Sequence, residues 1–287
     1  MSIDMPSNLP SVITPNDVDE SPLVGTWQNT NAASRQIAGL RIQVVDGCPM
    51  VNVWGASRPL CLDWGTIPIE RLYRGSPGAA QAAAFEASFQ FGPMTALLEA
   101  NLSKGLLIIA CMKTFGDGSG RSPYFVREFF RKTDEFTTPT LAPIDRGRRP
   151  VTCADDDATL VLEPASLQRL DPGAFLGRWA NTDAATRGFR EVRMSEWDSG
   201  LLLEIHGAED PPEGARCEGA ATLFAEHSAG TVSTQFHAAI DRAGQRMRMH
   251  GWVKLGVLVI AVFRSSVDSP ASAPWFDREF FAQTDRL

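Results

Sequence analysis

The chain has little of what most catalytic and metal sites are built from. It holds four histidines, all in its second half, and no two of them have the i, i+4 spacing of a helical metal motif. Its five cysteines, Cys48, Cys61, Cys111, Cys153 and Cys217, are odd in number and fit no zinc or disulfide framework. No nucleophile signature is present, so no metal, no cofactor and no catalytic centre is expected. Basic clusters are also scarce. The densest run, Arg146-Gly147-Arg148-Arg149, is soon followed by Asp155-Asp156-Asp157, and the net charge is −7. Nucleic-acid binding needs clustered Lys and Arg and is excluded. The two runs read as a solvated linker whose charges compensate each other. Long apolar runs are missing as well. Leu106–Met112 and Leu255–Phe263 fall far short of the roughly 20 residues that span a bilayer as a helix. Met1–Glu20 lacks the basic start and apolar core of a signal peptide. A cytoplasmic protein with free thiols and no membrane partner is the expectation.

What is present is repetition. Gly25-Thr-Trp27-Gln-Asn29-Thr30-Asn31-Ala-Ala-Ser34-Arg35 returns as Gly177-Arg-Trp179-Ala-Asn181-Thr182-Asp183-Ala-Ala-Thr186-Arg187. Gly105-Leu-Leu-Ile-Ile-Ala110 returns as Gly256-Val-Leu-Val-Ile-Ala261, and Arg127-Glu-Phe-Phe130 as Arg278-Glu-Phe-Phe281. One offset, that of Phe85 to Phe236, holds to the end of both copies without a gap. The expected organisation is a disordered N-terminus (1–22), a first repeat (23–134), a linker (135–174) and a second repeat (175–287).

Each copy alternates with a period of two. Phe85, Ala87, Phe89 and Phe91 fall on one face of a strand, with Glu86, Ser88 and Gln90 on the other. Strands are expected near 25–29, 40–45, 50–55, 63–73, 83–91, 94–101, 106–115 and 124–131, with tight turns at Asp46-Gly47, Gly92-Pro93 and Ser103–Gly105. The linker suggests a short strand (Thr159–Leu162) and a helical turn (Ser166–Leu170). Arg74–Ala84 has the length of a lid. The fold class is all-β: two tandem eight-stranded antiparallel up-and-down barrels, with an open sandwich as the alternative.

The G-x-W at Gly25/Trp27 and Gly177/Trp179, extended to Asn29 and Asn181, resembles the first-strand signature of the calycin superfamily of lipocalins and avidins. The resemblance implies that each Trp plugs the closed end of a barrel, and that Arg127 and Arg278 pack across it. Trp54-Gly55, Cys61-Leu-Asp63-Trp64-Gly65 and Asp117-Gly-Ser-Gly-Arg121 resemble small bacterial β-domains. Their duplicated forms look like substrate-binding accessory proteins of peptide natural-product pathways.

Shared residues read as scaffold, and residues that differ between copies as candidate site. The differing pairs are Trp54/His206, Trp64/Glu218, Asn101/Trp252, Glu99/His250 and Tyr124/Trp275. Arg35 and Arg187, kept in both copies, either anchor a ligand carboxylate or pin a loop. His206 and His250 either point into one cavity or lie at the surface and in the core. The candidate ligand-binding residues are Trp54, Trp64, Arg35, Tyr124, His206, Arg187, His250, Trp252 and Trp275. The expected function is to hold a hydrophobic or aromatic-rich peptide or natural-product intermediate, in a barrel mouth or in the cleft between the copies. Expected partners are that ligand, biosynthetic enzymes of the same pathway and a second copy in a homodimer. The alternative is a barrel cyclase or isomerase with His250, Glu99 and His206 as acid and base.

Overall fold

The computed structural model describes residues 18–57, 59–134, 140–144, 151–156, 169–198, 200–208, 216–242, 244–267 and 273–285. Every regular element among them is a strand, so the protein is all-β. The strands are β1 (Gly25–Asn29), β2 (Ile37–Val45), β3 (Cys48–Gly55), β4 (Cys61–Pro68), β5 (Arg71–Arg74), β6 (Ala82–Phe91), β7 (Met94–Ser103), β8 (Leu106–Phe115), β9 (Tyr124–Lys132) and β10 (Leu141–Pro143). They continue as β11 (Gly177–Asn181), β12 (Phe189–Trp197), β13 (Gly200–Gly207), β14 (Arg216–Ala225), β15 (Ser233–Arg242), β16 (Gln245–Lys254), β17 (Val257–Ser266) and β18 (Trp275–Asp285).

Tight turns set the registers. Asp46-Gly47 and Lys104-Gly105 both take positive φ (51° and 78°, 50° and 78°), the type I′ hairpin geometry whose twist matches that of the strands it joins. Antiparallel pairing then runs β1–β2–β3–β4 and β5–β6–β7–β8–β9, and β9 returns to β1. The expected single strand over 63–73 is broken into β4 and β5. Between them Ile69 N–H donates to Pro49 O and Glu70 N–H to Glu86 O, so the chain changes partner there from β3 to β6. In the second half β11 to β18 pair in succession, and β18 returns to β11. The pairings are compatible with a β-barrel-like fold.

Inward faces carry two separate apolar cores, one from Leu40, Val53, Phe85, Leu98, Ile109 and Phe130, the other from Val192, Leu203, Phe236, Met249, Ile260 and Phe281. Trp27 and Trp179 are buried in them, and each indole N–H donates to the backbone four residues earlier, Leu23 O at 2.8 Å and Phe175 O at 2.7 Å. Asn29 and Asn181 each donate through Nδ2 to the first residue of the next strand, Ile37 O and Phe189 O. The cation over Trp27 is Lys132, 5.5 Å from the ring centroid, and not Arg127. Arg127 and Arg278 point outward, because they alternate with Glu128 and Phe130, and with Glu279 and Phe281, which face in.

Residues 18–22, expected to be disordered, are packed. Val18 is buried, Asp19 N–H donates to Ala80 O, and Ala82 N–H donates to Asp19 O. Asp171 repeats the contact, donating to Thr231 O and accepting from Ser233 N–H. Asp19 and Asp171 thus make the same contact in the two halves of the chain. The same bonds hold Gly75–Gln81 down, so this stretch is not a free lid. Thr159–Leu162 and most of Ser166–Leu170 lie outside the described residues.

The halves meet through the outward faces of β5–β9 and β14–β18. Arg74 N–H donates to Pro274 O and Ala225 N–H to Pro123 O, both at 2.9 Å, and each donor or acceptor pair is 151 residues apart in sequence. Tyr73 packs near Ala261, Phe263 and Phe276; Phe224 packs near Ala110, Met112 and Phe125, the same contact with partners exchanged. That exchange is the mark of an isologous, two-fold interface.

Candidate functional site

At one end of the first half, where β1 and β8 finish and β9 starts, the inward face turns polar. Along β8 the inward residues run Leu107, Ile109, Cys111 and then Lys113, whose side chain is fully buried. Residues 151–156, from the segment read as a solvated linker, enter this end. Lys113 Nζ donates to both Asp156 oxygens (3.2 and 3.1 Å) and lies 3.1 Å from Cys153 Sγ. Tyr124 Oη donates to Asp156 Oδ1 at 2.5 Å, and the Thr152 backbone N–H to Asp156 Oδ2 at 2.9 Å. Trp64 Nε1 donates to Thr152 O at 2.9 Å, and Lys113 sits 5.5 Å from the Trp64 ring centroid and 5.2 Å from that of Tyr124.

Burial works against both charges. The hydrogen bond to Cys153 Sγ and the charge of Asp156 reverse it for Lys113 and keep the ammonium protonated. Lys113 and the Thr152 and Tyr124 hydrogen bonds reverse it for Asp156 and keep the carboxylate ionised. Burial pushes the Tyr124 phenol and the Cys153 thiol up, so both stay neutral donors. Arg35 closes the outer rim. Its Nε donates to Asp155 Oδ1 at 2.6 Å and its Nη2 to Ala154 O at 3.1 Å, while Gln36 Nε2 donates to Asp155 Oδ2 at 2.6 Å. Arg35 thus anchors a carboxylate and pins a loop at once, and the carboxylate is the chain's own.

The corresponding end of the second half is arranged differently. Lys113 is matched by Arg264, only 7% exposed, whose guanidinium lies 4.6 Å from the Phe189 ring and 4.8 Å from that of Trp275. Arg264 Nε donates to Asp277 Oδ2 at 3.3 Å, and Nη2 stands 3.6 Å from Glu279 Oε1. Among the described residues, Arg264 Nη2 and Asp277 Oδ1 are buried without a hydrogen-bond partner. Burial raises the Asp277 carboxyl, and burial together with Asp277 raises Glu279 to about 7. Glu279 accepts from Phe189 N–H and Asn181 Nδ2, as Glu128 accepts from Ile37 N–H and Ser34 Oγ in the first half. Arg187, the counterpart of Arg35, is exposed.

Glu99 and His250 do come together, though in the interface and not in a cavity. His250 Nδ1 lies 2.5 Å from Glu99 Oε2 and His237 Nε2 3.2 Å from Oε1, with Glu99 1% and His250 3% exposed. Trp252 stacks on His250 at 5.7 Å. His206 is elsewhere, half-buried on the outward face of β13 and 2.6 Å from Glu204. Trp54 is buried with Arg41 6.0 Å from its ring. Trp64 also lines a groove of about 330 Å³ between β4 and β10, with Asp63, Gly65 and Leu141–Ile144. The Asp117–Arg121 loop is tied by its own ion pair at 2.6 Å.

Sequence reasoning missed Lys113, Asp156, Cys153, Gln36, Arg264 and Asp277. One signal was available: Lys113 and Arg264 each end an inward-facing apolar series, where a charge must be paired. Among the described residues no three His, Cys, Asp or Glu side chains are grouped to hold a metal ion, and no helix is long and apolar enough to cross a membrane. Compared with protein-family models, with curated proteins and with solved structures, the chain matches none.

Proposed function

We propose that the chain is a duplicated pair of eight-staved barrels acting as a peptide-binding protein, and that the ligand enters the second barrel at the Arg264 end. The first barrel carries the reading. Its corresponding end already binds a peptide, the chain's own Thr152–Asp156, through Arg35, Gln36, Lys113, Tyr124 and Trp64. The second barrel keeps cations at the two matching positions, Arg187 and Arg264. An orphaned donor (Arg264 Nη2) and an orphaned acceptor (Asp277 Oδ1) sit there together, and a peptide unit supplies the complementary C=O and N–H. Phe189 and Trp275 add aromatic surface beside them. An extended peptide carrying an acidic side chain is the ligand this chemistry asks for. A peptide intermediate of a biosynthetic pathway belongs to that class.

The test is a labelled peptide copying residues 151–157, with Ser in place of Cys153, titrated against the whole protein by fluorescence anisotropy. Saturable binding is expected. Arg264→Gln is expected to weaken it by about tenfold or more, the worth of a charged hydrogen bond. A peptide with Asn in place of Asp155 and Asp156 is expected to bind less. Equal affinity for Arg264→Gln, or no saturable binding to the wild type, rejects the assignment.

A further inference from the structure

A second charge arrangement lies away from these ends, where the two halves meet. Arg127 on β9 and Arg278 on β18 are equivalent residues, and both place their guanidinium over one ring, that of Trp252, at 4.5 and 6.0 Å from its centroid. Two like charges drawn to one aromatic ring favour an anion beside them. Among the described residues, neither arginine has a carboxylate within ion-pair distance. Arg278 Nη2 donates to Asn101 Oδ1 at 2.9 Å, and Arg278 Nε is buried without a partner. The nearby Glu99 is already held by His237 and His250, and Glu86 by Arg248. The outcome is visible in Arg127, which burial and then the charge of Arg278 bring down to about 10. The arginines are half-buried. The next outward residues along the same strands, Phe129 and Phe280, are 38% and 46% exposed, so the arginines stand where the interface opens to solvent.

We propose that Arg127, Arg278, Asn101 and Trp252 form a binding site for a small doubly charged oxyanion, a dicarboxylate or a phosphate. Two guanidinium forks match two anionic oxygen pairs, and the Trp252 ring lies within cation–π distance of both. The site needs both repeats, since each contributes one arginine. It is independent of peptide binding at Arg264.

Calorimetric titration of the whole protein at low ionic strength tests this, with malonate, inorganic phosphate and chloride as probes. Saturable binding at one site per chain is expected for malonate or phosphate and not for chloride. Malonate alone identifies a carboxylate ligand, phosphate alone a phosphoryl ligand, and both together the shared oxyanion chemistry. Arg127→Gln and Arg278→Gln are each expected to lower the affinity by about tenfold. Without anion each is expected to raise the melting temperature, because like-charge repulsion is relieved. Arg127→Lys keeps the charge but not the fork, and serves if a Gln variant fails to fold; it too is expected to bind more weakly. No saturable heat with either oxyanion, chloride binding of equal strength, or affinity unchanged in the variants overturns the proposal.

Discussion

Replacing Asp156 with alanine is expected to cost the protein about 3–5 kcal/mol, because it strands Lys113 as an unpaired buried charge. Both side chains have zero exposure. Besides the Trp64 and Tyr124 rings, Lys113 keeps Cys153 Sγ and Gln36 Oε1 as hydrogen-bond contacts, at 3.1 and 3.5 Å, and neither carries a compensating charge while the thiol stays protonated. The loss extends to Tyr124 Oη and the Thr152 N–H, both of which donate to the carboxylate. Urea denaturation reads the effect directly. Lys113→Met combined with Asp156→Leu is expected to recover most of the loss, since an apolar pair of similar volume replaces a buried ion pair at little cost. A loss below about 1 kcal/mol for Asp156→Ala would show that residues 151–156 do not pack against Lys113 in solution.

Gly55 offers an independent test of the same packing without touching a charge. A Cβ there would stand 1.7 Å from Thr152 O and 2.7 Å from Trp64 Nε1. Neither neighbour can make room by a side-chain rotation, because one is backbone and the other is hydrogen-bonded to it. Gly55→Ala is therefore expected to displace Thr152 from beside Trp64, seen as protease cleavage within 151–156 that the wild type resists. Resistance equal to wild type counts against the placement.

Period-two patterning made the strands legible. Gly25–Asn29 and Leu106–Phe115 have the expected bounds, and the other first-half strands differ mainly at their ends. Ile69 and Glu70 could not be read as a break, since only the partner strands dictate the switch from Pro49 to Glu86. The site was less legible. The rule that sites lie where copies differ led to Glu99 and His250, which pack the interface. Asp155 and Asp156 looked solvated because their partners, Arg35 and Lys113, stand 120 and 43 residues away. A charge run reveals its fate only when the inward-facing cation that meets it is known.

The interface carries its own expected result: stability falls as pH drops below about 6.5. Burial lowers His250 below its ordinary 6.5, despite the Glu99 carboxylate against it. Burial would raise Glu99, but His237 and His250 outweigh it and hold the carboxylate down at about 2. The state at neutral pH is thus an ionised Glu99 accepting from a neutral His250. The signs follow from these directions. Below 6.5 the unfolded chain takes up the His250 proton before the folded chain does, so stability declines by up to about 1.4 kcal/mol per pH unit. The Glu99 contribution is complete above 4.5 and is lost as pH falls from there towards 2. Arg127, also close to His250, opposes a second positive charge and adds to the acid sensitivity. Urea denaturation at pH 7.5 and 5.0 is expected to show the lower stability at pH 5.0, with this residue contributing in that direction. His250→Gln, which keeps an N–H for Glu99 but cannot titrate, is expected to flatten that interval. The other histidines remain in both proteins, so the difference between the two slopes isolates His250. Parallel slopes would place the acid sensitivity elsewhere and leave the Glu99–His250 contact without a titrating role.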